Sequence, residues 1–456
     1  VEKVLTTSHL IRAFLILAIF TTSFDIFLVF RLGFTFRAAQ ILLVIPIGYA
    51  LLQLCRNPVA KWPLGFTPLL LWAFFLAIFI PNTDFPLRSI GYWLWLAFNT
   101  LMIFVVVQLI DDYRKVLTIV RWYLYSFLFV ASFGIFQFFA PRLGLGAPLI
   151  VEWWYEGSLP RVNGFSYEPS YFAAYLIMGW VLTLYLLEHR STIINRKILG
   201  LIAMVTTLAL VLSSSRAGLL AMAIWLAQYP ALLIWRLLRG FLNTRLLTIS
   251  ATLVLVLLLT TVGIAQVGSS NLEFLLAGIG LLGQTAHSLV YRTQTIQDTL
   301  EIFLRSPFIG YSLGGISSAI GHLQGVDVSS LEAAKKSEGM AIFAEALAAS
   351  GIIGVIPFAI YILKIIRDPL RLAGKSSDPN LRAILAGVTY ALVIELIILQ
   401  FNQNILRLYL WMHIAILSAV YSVGTRNSPA MAETARIAEP DQPAPPEDPA
   451  PETCLV

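Results

Sequence analysis

The stretch Ile90–Ile110, IGYWLWLAFNTLMIFVVVQLI, carries no charged residue. As a helix rising 1.5 Å per residue it covers about 30 Å, the hydrocarbon thickness of a bilayer. Its apolar residues do not alternate with polar ones, which argues against a barrel strand. In lipid a helix satisfies its own backbone polar groups, so a transmembrane helix is the reading that remains. Outward from this run the pattern repeats at 10–30, 38–54, 64–80, 116–139, 169–187, 197–214, 216–235, 246–266, 340–363, 382–401 and 404–423. The chain is 58% hydrophobic and 12% charged, with a mean hydropathy of +0.80. An aqueous core of this size has no room for so much apolar surface, so the bilayer serves as solvent. These features predict an all-α polytopic integral membrane protein with about 12 transmembrane helices.

The net charge of +6 is read as topology, with no nucleic acid partner expected, because the basic residues flank apolar runs. With the N-terminus inside, Arg56, Lys61, Arg114, Lys115, Arg190, Arg196, Lys197, Arg236, Arg239, Arg245, Lys364, Arg367, Arg371, Lys375 and Arg382 all fall on the cytoplasmic side. One span more or fewer inverts every later loop. This register places two long segments outside, 140–168 and a large extracytoplasmic loop at about 267–339. The loop contains a surface helix near Tyr291–Leu304 and the turn Ser306-Pro307-Phe308-Ile309-Gly310. Residues 1–424 form the membrane domain, and 425–456, rich in Pro, Ala and Glu, read as a disordered cytoplasmic tail. The first run, Leu10 to Phe30, carries Asp25 and lacks a small-x-small cleavage site, so it reads as a retained span. The two cysteines, Cys55 and Cys454, form neither a disulfide framework nor a zinc site.

Chemistry concentrates in a few places. In Arg161-Val162-Asn163-Gly164-Phe165-Ser166-Tyr167-Glu168-Pro169-Ser170, Pro169 suits the first turn of a helix capped by Ser166 or a neighbour. Glu168 then sits at the positive end of the helix dipole. It either complements the dipole and pairs with Arg161, or serves a polar cavity as a base. Ser213-Ser214-Ser215-Arg216-Ala217-Gly218 is a polar turn between two spans, where Arg216 either snorkels or lines a packed pocket. The late loop adds His287, Arg292, Arg305, His322, Lys335, Lys336 and Glu338. Several cations on the outer side run against the positive-inside bias, and an anionic substrate gives a reason. Guanidinium groups suit a diphosphate because they donate paired, charge-assisted hydrogen bonds and keep their proton. Asp25 and His413 read as buried structural contacts. Glu395 is more open, since it lies close in sequence to Arg407. Trp153, Trp154 and Tyr155 fit a sugar-stacking surface or an interfacial belt equally well. No Gly-x-x-x-x-Gly-Lys loop, His-Glu-x-x-His or Asp-x-Asp occurs, so ATP hydrolysis and zinc chemistry are disfavoured, and neither cofactor nor metal is expected.

Four segments carry a family resemblance: RVNGFSYEPSYFAAYL from Arg161, LVLSSSRAGLLAM from Leu210, YRTQTIQDTLEIFLRSPFIGYSLGG from Tyr291 and EGMAIFAEALAASGIIGVIPF from Glu338. In order and spacing they resemble the O-antigen ligase and polymerase family of bacterial surface-polysaccharide assembly. The resemblance implies a metal-independent glycosyltransferase of the bacterial inner membrane, acting at its outer face on a glycan carried by undecaprenyl diphosphate. Flippase and chain-length regulator proteins are the partners it implies, besides membrane lipids. By the same likeness Arg161, Arg216 and Arg292 contact the diphosphate or glycan; Arg305 joins them as a substrate-binding candidate from the cations of the late loop. Ligases typically show a His-Asn pair before Gly-Ile-Ile-Gly; Met340-Ala341 stands there in this chain. The Ser-x-Glu-Pro-Ser form at Ser166–Ser170 looks more like the polymerases of exopolysaccharide or O-antigen assembly. A polymerase of lipid-linked repeat units is therefore the first expectation, with Glu168 as base and Glu338 as second candidate. The alternatives are a ligase passing the glycan to a lipid or protein, and a transporter of small anions. The absence of an internal repeat weakens the transporter.

Overall fold

The structure is a computed structural model that describes residues 2–32, 34–157, 159–241, 243–244, 246–255, 285–326, 328, 330, 337–401 and 405–426. It is an all-α bundle of antiparallel helices: α1 (Glu2–Phe20), α2 (Ala38–Arg56), α3 (Phe66–Ile78), α4 (Pro86–Leu109), α5 (Tyr113–Phe139), α6 (Pro169–Glu188), α7 (Arg196–Leu212), α8 (Arg216–Leu238), α9 (Leu246–Leu255), α10 (Thr285–Arg305), α11 (Ser312–Leu323), α12 (Ile342–Lys375), α13 (Pro379–Ile398) and α14 (Leu408–Arg426). Eight of these (α2, α4, α5, α6, α8, α12, α13 and α14) are long and apolar enough to cross a bilayer. The protein is a multi-pass membrane protein. The other four expected spans correspond to α1, whose apolar stretch is His9–Phe20, and to the shorter helices α3, α7 and α9. At 13 residues, α3 rises only about 20 Å, and the 3-10 turn Ile80–Asn82 continues its path. Residues 256–284, in which the ninth expected span ends, and 427–456, which hold most of the expected tail, lie outside the described residues. So do Arg245, Lys335, Lys336, Cys454 and the side chain of His287.

The first span is corrected. Its helix ends at Phe20, not Phe30. Thr21 and Thr22 turn their hydroxyls back onto the carbonyls of Leu17 and Ile19, at 2.9 Å each, and close the helix. The apolar residues that follow enter a hairpin, β1 (Val29–Leu32) against β2 (Phe34–Arg37). A second hairpin pairs β3 (Glu152–Tyr155) with β4 (Leu159–Arg161).

Two ends of the bundle are defined by what their connectors touch. At one, the Asp25 amide donates to the Phe165 carbonyl (2.9 Å), and the Ile342 amide to the Leu399 carbonyl (3.0 Å). At the other, the Lys61 amide donates to Gln108 (2.9 Å), Arg121 to the Ile193 carbonyl (2.7 Å) and the Thr192 amide to Asn380 (2.9 Å). The second end carries the basic connectors; the first gathers the residues singled out for chemistry. Helices α6, α13 and α14 are the most deeply buried and form the centre of the core.

One long helix is broken and repaired. Inside α12, Gly351 adopts φ 57°, ψ −171°, a conformation that costs a side-chain-bearing residue dearly. The Ile352 amide, which an unbroken helix would direct to Ala348, donates instead to the Pro307 carbonyl (2.8 Å). The orphaned Ala348 carbonyl accepts from the Tyr311 amide (3.0 Å). The turn Ser306–Gly310 is thus stitched into the helix by main chain alone. A methyl group at Gly310 would collide with the Ala349 backbone, and one at Gly351 with the Phe308 backbone.

Candidate functional site

The segment between β4 and α6 is held from below by one side chain. Gln137 of α5 accepts from the Gly164 amide (2.7 Å) and donates to the Gly164 carbonyl (2.9 Å). Asn163 closes the same turn by donating to the Ser166 carbonyl at 2.7 Å. Phe165 stacks on Phe133, with ring centroids 4.2 Å apart. Gly164 takes φ 57° against the Phe172 ring, where a side chain has no space. The chain therefore enters α6 along a fixed path, and the helix N-cap is Glu168 rather than Ser166. Glu168 caps with its backbone only. Its carboxylate is exposed and accepts from the Ser170 hydroxyl at 2.9 Å.

Three of the expected arginines converge from separate elements. Arg216 opens α8, after the Ser213–Ser215 turn in which Ser214 takes φ 49° and Ser215 caps Gly218 at 3.4 Å. Gly218 lets α8 approach α6 closely: a methyl there would lie 2.8 Å from Ala173, one turn into α6. Arg216 is partly desolvated and repelled by Arg292 of α10 and Arg161 of β4. Arg292 donates to the Phe401 carbonyl (3.1 Å), and Arg161 forms an ion pair with Glu152 across the hairpin. The expected pairing of Arg161 with Glu168 is therefore replaced by one with a cross-strand neighbour. Arg305 does not join the group. It sits 13 residues along α10 from Arg292, about 20 Å of rise, and pairs with Glu301 at 3.0 Å in solvent. Trp153 is half-buried on β3, and the Trp154 side chain lies outside the described residues. His322 pairs with Asp84 at 3.1 Å, far from the arginines in contact terms.

Two further arginine groups at this end were not singled out from sequence. Asp25 receives both Arg37 (2.7 Å) and Arg407 (2.8 Å). The Arg407 guanidinium lies 3.8 Å from the centre of the Tyr171 ring on α6. Burial pushes the Arg407 pKa down, but Asp25 and Tyr171 more than offset this and hold it above the usual arginine range. Asp25 is thus a structural contact, as expected, though it sits beyond the helix and not inside a span. Arg407 is committed to Asp25, while Glu395 is fully buried with both carboxyl oxygens lacking a hydrogen-bond partner among the described residues. His413 is held between the Tyr123 hydroxyl and the Val388 carbonyl, at 2.8 Å each. The second group is Arg88 with Glu338, where Arg88 also donates to Tyr92 (3.1 Å), and Tyr92 to Glu338 (3.4 Å). The fully buried Glu345 lies close enough to repel Glu338. The only sequence signal for Arg37, Arg88 and Arg407 is their place beside apolar runs, which is also where ordinary anchoring arginines occur.

Residues 199–359 match the family model described as O-antigen ligase. This segment, about a third of the chain, is similar to the O-antigen ligase family. The match runs from α7 into α12 and takes in Arg216, Arg292, Glu338 and the stitched kink. It supports glycan transfer of the O-antigen ligase or polymerase type, acting on lipid-linked glycans. No curated protein matches the chain. At Met340-Ala341, where the ligases it resembles show His-Asn, Ala341 takes φ 71°, ψ 111°.

Proposed function

We propose that this protein is a polymerase of undecaprenyl-diphosphate-linked repeat units, working at the outer face of the bacterial inner membrane in exopolysaccharide or O-antigen assembly. The observation that carries the reading is the convergence of Arg161, Arg216 and Arg292. Crowded guanidinium groups repel one another, and a diphosphate bridging them converts that repulsion into charge-assisted hydrogen bonds. In the proposed step a sugar hydroxyl of one lipid-linked unit attacks the anomeric carbon of the other chain. The bond from that carbon to the diphosphate oxygen breaks, and undecaprenyl diphosphate leaves with the electron pair. Arginines neutralise the growing charge, so the leaving group needs no proton. The hydroxyl proton passes to a carboxylate. Glu168 is the first candidate because it is exposed at the N-cap of α6, whereas Glu338 is engaged by Arg88 and Tyr92. Trp153, on the same hairpin as Arg161, offers a face for a sugar ring. Flippase and chain-length regulator proteins are the partners this reading entails.

A ligase is the second reading, favoured by the description of the matching family. Purified protein in vesicles, given lipid-linked repeat unit as sole substrate, separates the two. Polymerisation yields a ladder of products spaced by one repeat unit. A single transfer that requires a different added acceptor marks a ligase, and no transfer with either overturns the enzymatic reading.

A further inference from the structure

At the basic end, remote from the arginine site, a cavity of about 420 Å³ opens between α1, α2, the end of α4 and the start of α5. Its walls are of two kinds. Ile11, Leu15, Leu54 and Ile119 make an apolar side, while Arg12, Lys61 and Lys115 face it with charge. The one carboxylate in the lining, Asp111, is paired with Lys115. Lys115 also reaches Asp112 at 3.9 Å, which leaves Arg12 and Lys61 as the lining cations without an ion pair among the described residues.

Topology alone does not account for these cations, because charges that merely orient a span extend into water. Arg12 lies near the middle of α1, eight residues before its end at Phe20, and no carboxylate among the described residues pairs with it. An intramembrane arginine aimed into a cavity is costly and marks a binding site unless it is otherwise satisfied. Lys61 is pinned at the mouth: its amide and ammonium donate to Gln108 at 2.9 and 3.2 Å, and Gln108 returns a bond of 2.7 Å to the Lys61 carbonyl. Burial and the neighbouring Arg426 and Lys115 work against its charge, and Asp111 supports it. The ammonium is thus fixed in place amid like charges. On their outer faces α1 and α2 present Leu10, Leu17, Leu51 and Leu52, surfaces that the bilayer covers.

We propose that this cavity binds the phosphate of an anionic membrane lipid, with Arg12, Lys61 and Lys115 around the headgroup and an acyl chain along the apolar wall. The shared chemistry is a phosphate ester; the apolar wall selects a lipid over a soluble phosphate. The site is separate from the transfer chemistry and does not depend on that reading. The full chain, reconstituted in nanodiscs of mixed phosphatidylglycerol and phosphatidylcholine, is released for native mass spectrometry. Phosphatidylglycerol should be retained in preference, and its excess over phosphatidylcholine should fall about fivefold for each cation removed in Arg12→Gln and Lys61→Gln. Leu54→Trp, which fills the hollow and leaves every charge, should lower retention as well and guards against misfolding of the Arg12 variant. Equal retention of the two lipids, or unchanged preference in folded Lys61→Gln and Leu54→Trp, overturns the proposal. Displacement of the lipid by millimolar inorganic phosphate would reassign the site to a soluble anion.

Discussion

Two arginine groups share one end of this bundle, and they are built on opposite plans. Around Asp25, two guanidinium groups meet one carboxylate that is 4% exposed, and a tyrosine ring covers one of them. Both guanidinium groups there bond to that one carboxylate. Around Arg216, two further arginines, Arg161 from a hairpin and Arg292 from a loop helix, come close enough to repel it. A protein that wanted only to tie its connectors together had the first plan available and used it a few residues away. Under the proposed function the second group is the receptor, where an incoming diphosphate would bind. The pairing of Arg407 with Asp25 joins positions 382 residues apart, so the first group is a clasp between the two ends of the chain.

Substitutions should separate clasp from receptor. The largest effect is expected at Glu168, at the start of the helix whose Tyr171 carries Arg407. Glu168→Gln keeps shape and hydrogen bonding but accepts no proton, and turnover should fall by about 10²–10⁴-fold with donor binding retained. Retained turnover with weakened binding would move the base elsewhere. At the receptor, Arg216→Lys keeps the charge and loses the forked donor geometry. Product formation should drop by about 10²-fold, on the scale of removing one preorganised donor, while the melting temperature stays at the parental value. Parental activity in that variant would make Arg216 a membrane anchor. At the clasp the order reverses. Asp25→Asn takes the shared carboxylate from two half-buried cations and should destabilise the fold by about 1–3 kcal/mol, read as a lowered unfolding midpoint in detergent. Activity per folded molecule should change by less than about tenfold, since one kcal/mol of misplacement is worth about fivefold. A clasp variant that melts normally but loses turnover would merge the two groups into one site.

The membrane class was legible because apolar runs advertise themselves without any tertiary information. The misplacement at Leu10–Phe30 shows where that stops: Phe24-Asp25-Ile26-Phe27-Leu28 reads as more span, yet the stacking of Phe24 on Phe165, at 4.1 Å, is what turns it into a connector. Arg161, Arg216 and Arg292 were legible because each interrupts a polar turn or a loop helix. Arg37, Arg88 and Arg407 were not, because an arginine at the edge of an apolar run is also the signature of a headgroup contact. Only long-range pairing tells the two apart, and no local window contains Asp25 together with Arg407. The Arg161–Glu152 pair was missed for a related reason: the hairpin register that sets them opposite is a property of the fold.

The stitched kink bears on how the receptor is aimed. Main-chain bonds fasten Pro307 and Tyr311 to α12, so the C-terminal end of α10 is clamped to a membrane helix just past Arg305. Arg292 rides 13 residues away on the same rigid rod, which makes α10 a lever of about 20 Å with its fulcrum at Gly351. A tilt of about 5° there carries the Arg292 backbone by about 2 Å, enough to make or break a hydrogen bond. Gly310 and Gly351, which leave room for this stitch, thus set where the lever is anchored.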